Sequence, residues 1–202
     1  MKITAIQGIM LRCSCSPISD ALSTSAARQA LLVKIATDAG LYGIGEAFTY
    51  GAPLPIMKHL VEEQLGPMLI GQDPAEIEKH WNTMYWRTLA HGRRSMTMGA
   101  ISGIDIALWD LLGKAVHMPV CKLLGQHLDR VPSYASGGFY APGKDLRKLE
   151  EELEHYKDQG YRHMKIKIGR TLERSNAPLM YMANQDCAVS VEEDYKRIEA
   201  AK

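Results

Sequence analysis

Two lysines, Lys165 and Lys167, are the residues of this chain whose type and spacing best suit chemistry. They lie in the segment HMKIKIG at 163–169. The alternation of a strand places His163 and both lysines on one face and the apolar side chains on the other. A lysine held beside a second lysine has its pKa lowered, because each positive charge disfavours the other. Such an amine can act as a general base near neutral pH.

The elements around this strand decide whether the two lysines form a catalytic base or lie on an ordinary face in water. On an antiparallel sheet, a Lys-x-Lys pattern is typical of a face in water. Here a strand is predicted over 131–135, an amphipathic helix over 144–159 and the next strand over 162–168, an order that indicates a parallel sheet. Parallel sheets are covered on both faces, so we expect the lysines to point into a barrel interior or a cleft. Lys167 then lies at the carboxyl end of its strand, where barrel enzymes place their chemistry.

The N-terminal part of the chain predicts a separate unit that begins with an antiparallel meander. Strands are predicted over 2–13, 29–37 and 41–48, and the small polar residues of 14–27 predict a loop between the first two. A capped helix is predicted to open at Ser190 in the C-terminal part.

Three helices are predicted after the meander. One covers 55–64, and one is capped by Asp73, with Pro74 at its first helical position. The third covers 96–116 and carries one apolar stripe, with Gly99 and Gly103 on one side for close contact.

Composition excludes several classes of function. The chain has 202 residues, of which 24 are Lys or Arg and 23 are Asp or Glu. Without a basic cluster we expect no nucleic-acid partner. Without a run of about 18 apolar residues or a signal-like N-terminus we expect no membrane partner. The four cysteines are interpreted as reduced thiols of a cytoplasmic protein. A metal site at Cys13-Ser14-Cys15 is the alternative, although it lacks a second ligand pair.

Four stretches, in this order, resemble the mandelate racemase branch of the enolase superfamily, within the mandelate racemase/muconate lactonizing enzyme family. They are GIGE at 43–46, AISGIDIALWDLLGK at 100–114, PVCKLLG at 119–125 and the Lys-x-Lys strand at 164–169. The resemblance implies an α/β fold: an α+β capping domain over 1–125, then over 126–202 the first two βα units of a modified (β/α)₇β TIM-like barrel. It also implies that the chain is an N-terminal portion, truncated before the barrel closes.

The resemblance implies roles for four residues. Lys167 would remove the proton beside a substrate carboxylate, with Lys165 as its electrostatic partner. Ser136 would contact substrate through its hydroxyl. Tyr50 and the 14–27 loop resemble segments that close over the substrate, and an ordinary loop aromatic is the alternative for Tyr50. Mg²⁺ would stabilise the enediolate formed. Its acidic ligands lie on later strands in this family, so no metal ligand is assigned here.

The implied activity is that of a magnesium-dependent sugar-acid dehydratase or racemase, acting on a small carboxylate and homo-oligomeric when full length. We expect the 202-residue chain alone to be inactive. A cycloisomerase or epimerase of the same superfamily and an inactive truncated capping-domain protein are the alternatives.

Several other residues have expected roles outside the chemistry. His163 is interpreted as a core histidine, Asp105 and Asp110 as structural, and Trp81 and Trp86 as packing the capping domain. The stretch 170–189 exceeds an ordinary βα loop, which predicts a lid or an oligomer contact.

Overall fold

The structure, a computed structural model, divides into two units. It describes residues 1–21, 23–49, 52–91, 94–170 and 187–202. Unit 1 comprises Met1–Cys13 and Gln29–Asp129, and unit 2 comprises Ser14–Arg28 and Arg130–Lys202.

One long hairpin and a third strand form the N-terminal sheet. The strands β1 (Ile3–Ser19), β2 (Thr24–Thr37) and β3 (Tyr42–Ala47) lie in the order β1-β2-β3. The pairing of β2 with β3 is antiparallel and sets Val33 opposite Gly45. On β2, the alternating residues Leu31, Val33 and Ile35 are fully buried. The predicted three-stranded meander is therefore confirmed.

The loop predicted over 14–27 is wrong for most of its length, because both strands of the hairpin continue through it. Only a turn separates them, in which the Asp20 amide donates to the Ser23 carbonyl at 3.0 Å. The Ser23 amide in turn donates to Asp20 Oδ1 at 2.8 Å. Small polar residues form a strand here because the hairpin ladder satisfies their backbone groups whatever the side chain.

The first helical region of unit 1 is longer than predicted. The helix α1 (Leu54–His59) continues as a π-helical turn (Leu60–Leu65) and a 3₁₀ turn (Gly66–Met68). The helical region was predicted to end at Gly66-Pro67, but it continues for one more turn. Pro67 is tolerated because it lies in the first turn of the 3₁₀ segment, where its missing backbone N–H would have no helical partner.

The second helix, α2 (Ile77–Arg87), starts later than predicted, because its cap is Glu76 and not Asp73. Asp73 instead closes the preceding turn, in which its Oδ1 accepts from the Ala75 amide at 3.0 Å. The helix buries Ile77, His80 and Met84, one face of a 3.6-residue period. Trp81 packs against the core as predicted. The prediction is wrong for Trp86, which lies off that face with 64% of its surface exposed.

The central helix, α3 (Met96–Ala115), confirms the prediction for 96–116. Its stripe of Ile101, Ile104, Leu108 and Leu111 is fully buried. By length and composition alone α3 could cross a membrane, but 56% of its apolar window is buried inside the structure, as in the core helix of a globular protein. A 3₁₀ turn (Leu89–His91) precedes it, and a short helix, α4 (Val120–Leu123), comes after it.

Glycines let the backbones of β3 and α3 touch. A Cβ added to Gly45 would lie 2.1 Å from the Gly103 carbonyl oxygen, and one added to Gly43 would lie 2.0 Å from that of Ala107. No side chain fits at such distances. Asp110 on α3 also binds β3 directly, because its Oδ2 accepts a hydrogen bond from the Ile44 amide at 2.7 Å. The predicted close helix contact and the structural role of Asp110 are both seen here.

Unit 2 contains two short parallel strands and two helices. The strands β4 (Ala135–Ser136) and β5 (Met164–Lys165) pair in parallel. The helices are α5 (Leu146–Asp158), capped by Asp145, and α6 (Val191–Ala200), which has the predicted capping box at Ser190. The strands predicted over 131–135 and 162–168 are longer than β4 and β5. Each of these two strands pairs only with the other in the described chain, and Val131, in the predicted first strand, is 78% exposed.

The contact between β3 and α3 can be tested with Gly45→Ala. We expect this substitution to lower the free energy of unfolding of unit 1 by about 3 kcal/mol, at the upper end of overpacking costs. Urea denaturation followed by tryptophan fluorescence reports on it, since Trp81, Trp86 and Trp109 all lie in unit 1. The matched control is Ser102→Ala on the exposed side of α3, which should change stability by less than about 0.5 kcal/mol. Equal stability of the two variants would contradict the close-contact account.

Candidate active site

The parallel pairing of β4 and β5 brings Ser136 beside Lys165. The two residues are direct partners in the register. The Gly137 amide donates to the Lys165 carbonyl at 2.9 Å, which continues the ladder by one step. Both side chains are exposed. Residues opposite each other in a sheet share a face, so the Ser136 hydroxyl and the Lys165 ammonium point to the same side.

Each lysine of the pair lies over an aromatic ring. Lys165 Nζ is 5.4 Å from the centroid of Tyr134, and Lys167 Nζ is 5.1 Å from that of Phe139. Lys167 is half-buried, and its amide donates to the Gly138 carbonyl at 3.3 Å. Across the described residues neither ammonium forms an ion pair with a carboxylate. Ring faces attract a cation without neutralising it. Both amines are thus positioned while remaining accessible.

Three predictions about this region have different outcomes. The core position predicted for His163 is wrong, because this residue is exposed. Its backbone carbonyl accepts a hydrogen bond from the Ala135 amide of β4 at 3.0 Å. Tyr50 lies outside the described residues, as do residues 171–186 of the long loop. The two ends of that loop meet, since the Val189 amide donates to the Arg170 carbonyl at 3.1 Å.

A buried polar cluster, formed by Tyr140, Asp194, Arg197 and Arg170, supports the ends of both strands. The Tyr140 hydroxyl donates to Asp194 Oδ1 at 2.6 Å, and the Gly169 amide donates to Asp194 Oδ2 at 2.6 Å. The four residues of this cluster are between 2% and 7% exposed. Because Gly169 comes two residues after Lys167, the Asp194 carboxylate anchors the segment that follows β5.

The guanidinium of Arg197 reaches the same region from α6. Its Nη2 donates to the Gly138 carbonyl at 2.7 Å and lies 3.4 Å from that of Lys167. Its Nε lies 3.5 Å from Asp194 Oδ1, which makes a buried ion pair. The guanidinium also sits 4.3 Å from the Tyr140 ring centroid. Arg197 therefore holds the segments after β4 and β5 together through their carbonyl groups.

The Tyr140 hydroxyl is a hydrogen-bond donor throughout the physiological pH range. Burial raises the pKa of Tyr140 to about 12, and its hydrogen bond to Asp194 acts in the same direction, whereas the Arg170 amide and Arg197 oppose it. The Arg170 amide donates to the same hydroxyl oxygen at 3.2 Å. Tyr140 thus stays neutral and serves to position Asp194 and Arg170.

A second polar group holds the turn at Gly138 and Phe139 from the side of α5. Glu152 Oε1 accepts from the Gly138 amide at 3.2 Å and from the Tyr156 hydroxyl at 2.9 Å, and its other oxygen pairs with Lys144. Burial raises the pKa of Glu152, but the hydrogen bonds from Lys144 and Tyr156 outweigh burial, so the pKa of this carboxyl lies below its ordinary value. Lys144 Nζ also donates to the Phe139 carbonyl at 2.9 Å. The backbone that carries the Phe139 ring is thereby held from the side of α5.

A cavity of about 590 Å³ lies within unit 2. Its walls come from the end of the hairpin, the segment 140–145, residues 187–189 and Arg197. Ser136, Lys165 and Lys167 are not among its lining residues. The cavity and the lysine pair are therefore separate features.

Comparison with known proteins identifies the family. Residues 5–125 match the model of the mandelate racemase/muconate lactonizing enzyme N-terminal domain. The chain belongs to the mandelate racemase/muconate lactonizing enzyme family. The α/β fold with an antiparallel capping sheet, implied by the four sequence stretches, is confirmed. An L-talarate/galactarate dehydratase from Salmonella typhimurium, solved with Mg and L-lyxarohydroxamate, has a TM-score of 0.80 to this chain at 24% identity. The match covers 99% of this chain and 48% of that one.

Curated relatives in this family include sugar-acid dehydratases. The chain is 37% identical over 169 residues to an arabinonate dehydratase from Saccharolobus solfataricus, a match covering 84% of this chain and 40% of that protein. It is 36% identical over 174 residues to a D-mannonate dehydratase from Novosphingobium aromaticivorans, covering 84% of this chain and 38% of that protein. The chain thus spans less than half the length of these two relatives.

The described residues do not fit a metal site. In the ranges that the structure describes, no group of three or more His, Cys, Asp or Glu side chains could hold a metal ion. The Mg²⁺ expected in the mandelate racemase family therefore has no ligand set there. Lysines dominate the candidate site, and they repel a cation.

Sequence reasoning found the lysine pair but missed the cluster that supports it. It interpreted Asp194 only as part of the capped first turn of α6. A signal was present in the spacing of Asp194 and Arg197, since residues three apart on a helix can pair. Nothing in the sequence pointed to Tyr140 as their third member, because it lies 54 residues from Asp194.

The charge on Glu152 can be tested by pH. Its stabilising effect should be complete above the ordinary glutamate pKa of about 4.3 and lost as pH falls through the lowered folded value. Glu152→Gln should therefore weaken amide protection of α5 and Gly138 by about 1–3 kcal/mol at pH 7. The difference from the unmodified chain should shrink below about pH 4.3. Glu151→Gln, at a 56% exposed side chain, is the control. A Glu152→Gln effect that is independent of pH would contradict the ionised carboxylate.

Proposed function

We propose that the whole protein to which this chain belongs is a sugar-acid dehydratase in which Lys167 removes the α-proton of a carboxylate substrate. The observation that carries the proposal is the position of Lys167 just beyond the carboxyl end of the parallel strand β5, in a chain similar to arabinonate and D-mannonate dehydratases. Ligand-binding groups in parallel α/β folds gather at these strand ends.

Proton abstraction by Lys167 requires its neutral amine. The Nζ lone pair takes the α-proton, the C–H bonding pair moves toward the substrate carboxylate, and an enediolate and an ammonium result. The Phe139 ring, 5.1 Å from Nζ, favours the ammonium that forms. Lys144 and Glu152 bind the backbone at Phe139 and Gly138, so the main chain that carries this ring is held before the reaction.

Lys165 and Ser136 bind the substrate on the same face of the strand pair. The Lys165 side chain attracts the substrate carboxylate through a charge-assisted hydrogen bond. The exposed Ser136 hydroxyl can donate to or accept from a substrate oxygen. A bound Mg²⁺ would supply electrostatic stabilisation of the negative charge that develops on the substrate, but the described residues of this chain provide no ligand set for it.

A racemase is the second candidate, because proton abstraction by Lys167 is the first half of either reaction. The two reactions diverge at the enediolate, which loses a β-hydroxyl in a dehydratase and regains a proton on the opposite face in a racemase. The dehydratase is preferred because the similar curated proteins are dehydratases of sugar acids. Incubating the whole protein with arabinonate and mannonate decides between them, since a dehydratase yields a 2-keto-3-deoxy acid and a racemase yields an epimer.

The base can be tested with Lys167→Ala in the whole protein. Exchange of the substrate α-proton with solvent deuterium should fall by at least about 10²–10⁴-fold, because the proton acceptor is gone. Lys157→Ala, at an exposed lysine on α5, should leave exchange unchanged and controls for the loss of a lysine. Exchange at the original rate in Lys167→Ala would remove this residue from the mechanism.

The partner lysine can be tested with Lys165→Met and Lys165→Arg. Removing the ammonium should raise the KM for the carboxylate substrate about tenfold in Lys165→Met, because the charge-assisted hydrogen bond to the carboxylate is lost. The arginine variant keeps a positive donor, and its KM should stay near the original value. An unchanged KM in Lys165→Met would contradict this role of Lys165.

A further inference from the structure

The guanidinium of Arg197, on helix α6, reaches the backbone that carries the proposed base. We propose that Arg197 is a positioning residue for Lys167. By binding the carbonyl groups of Gly138 and Lys167 it fixes where the amine lies, and it thereby speeds proton abstraction without contacting the substrate. This role rests on the proposed function, since Lys167 is the base assigned there.

One nitrogen atom of Arg197 serves both segments that follow the parallel strands. Its Nη2 donates to the Gly138 carbonyl at 2.7 Å and lies 3.4 Å from the carbonyl of Lys167. The amide of Lys167 donates to the same Gly138 carbonyl at 3.3 Å. A guanidinium nitrogen of this type carries two N–H groups, so it can donate one to each carbonyl. The backbone on both sides of the Lys167 side chain is therefore tied to Gly138, once directly and once through Arg197.

The guanidinium of Arg197 is itself held in place by a ring and a carboxylate. The residue is only 4% exposed, and its planar group lies 4.3 Å from the centroid of the Tyr140 ring. Its Nε lies 3.5 Å from Oδ1 of Asp194, three residues earlier on the same helix. An arginine donates from a rigid planar fork, so these two contacts direct Nη2 to one point.

The orientation of this guanidinium favours the carbonyls over its own ion pair. Nε is buried and forms no hydrogen bond to the described residues. A charge-assisted N–H to carboxylate bond is ordinarily about 2.7–2.9 Å long, so the 3.5 Å separation from Asp194 is not an optimal contact. A buried donor without a hydrogen bond is destabilising. Since Nη2 nevertheless makes a short bond of 2.7 Å to Gly138, the geometry is set by the backbone beside Lys167.

The position of the amine depends on this backbone. Lys167 Nζ lies 5.1 Å from the centroid of Phe139, which comes directly after the residue whose carbonyl Arg197 binds. A shift of the Lys167 backbone would therefore move the amine relative to its ring and to the bound substrate. Displacement of a reacting group by about 1 Å can lower a rate about 10²-fold. Loss of Arg197 should slow proton abstraction and retain substrate binding, because its contacts in the described chain do not include Ser136 or Lys165.

Amide exchange on the 202-residue chain tests the positioning without any activity. Arg197→Lys keeps a positive charge near Asp194 but lacks the fork, so exchange of the Lys167 amide should become about tenfold faster while α5 keeps its protection. Lys196→Met, at an exposed lysine of the same helix, is the matched control and should change neither region. An unchanged rate at Lys167 would overturn the proposal. Equal acceleration throughout α5 would also overturn it, because that would show a general structural role.

The effect on the reaction is tested in the whole protein with Arg197→Met and Arg197→Lys. Turnover of arabinonate or mannonate is divided by the number of intact sites, which titration with a hydroxamate analogue of the same acid counts. Arg197→Met should lower kcat per intact site about 10²-fold and Arg197→Lys about tenfold, with KM changed by less than about twofold. A merely structural role would reduce the number of intact sites and leave kcat per site unchanged.

The possible results distinguish this role from the proposed function. Unchanged kcat per intact site in Arg197→Lys would overturn the positioning role even if Arg197→Met does not fold. A loss expressed mainly in KM would also overturn it, because substrate binding and not proton abstraction would then depend on Arg197. If the unmodified protein acts on neither acid, the proposed function fails, while the amide-exchange result still decides whether Arg197 positions Lys167.

Discussion

The carboxylate of Asp194 is the interaction on which the arrangement of unit 2 depends. A buried carboxylate costs several kcal/mol unless it is paired and hydrogen-bonded. Here it accepts from the Tyr140 hydroxyl and the Gly169 amide and pairs with Arg197. These donors come from the segment after β4, the segment after β5 and α6. One charged group therefore requires three segments to meet at one place, and that place lies just beyond Lys167 in the segment after β5.

Unit 1 is organised by a different constraint, the contact of two backbones. Gly43 and Gly45 on β3 and Gly103 on α3 leave no room for a Cβ, so sheet and helix approach as closely as main chains can. The predicted stripe of α3 then completes the core, since its four apolar residues are all fully buried. The close approach and the stripe reinforce each other, because only a helix this near the sheet can bury that stripe fully.

The sequence predicted the elements whose pattern is local and long. The helix over 96–116 was predicted to within a residue, because its apolar period repeats over several turns. The extension of the hairpin through 14–27 was missed, since strand formation there depends on pairing and not on residue type. The strands around Ser136 and Lys165 were overpredicted for the converse reason: apolar alternation cannot show how far a partner strand extends.

The candidate site divides in the same way. The Lys-x-Lys pattern and its position at a strand end are local, and the sequence revealed both. The groups that hold the site are not local, since the buried guanidinium of Arg170 contacts residues about 150 positions earlier in the chain. The family resemblance supplied the roles of Lys165, Lys167 and Ser136, whereas the cluster around Asp194 and the contacts of Arg170 became visible only in three dimensions.

The segment that carries Lys165 and Lys167, the rings beneath them and the cluster around Asp194 together position the amine of Lys167, the proposed base. The most direct test is a crystal structure of the whole protein with a hydroxamate analogue of a sugar acid. The account predicts that Lys167 Nζ lies about 3–3.5 Å from the atom of the analogue that replaces the substrate α-carbon. A bound analogue with Lys167 turned away, and a different base at that distance, would contradict it.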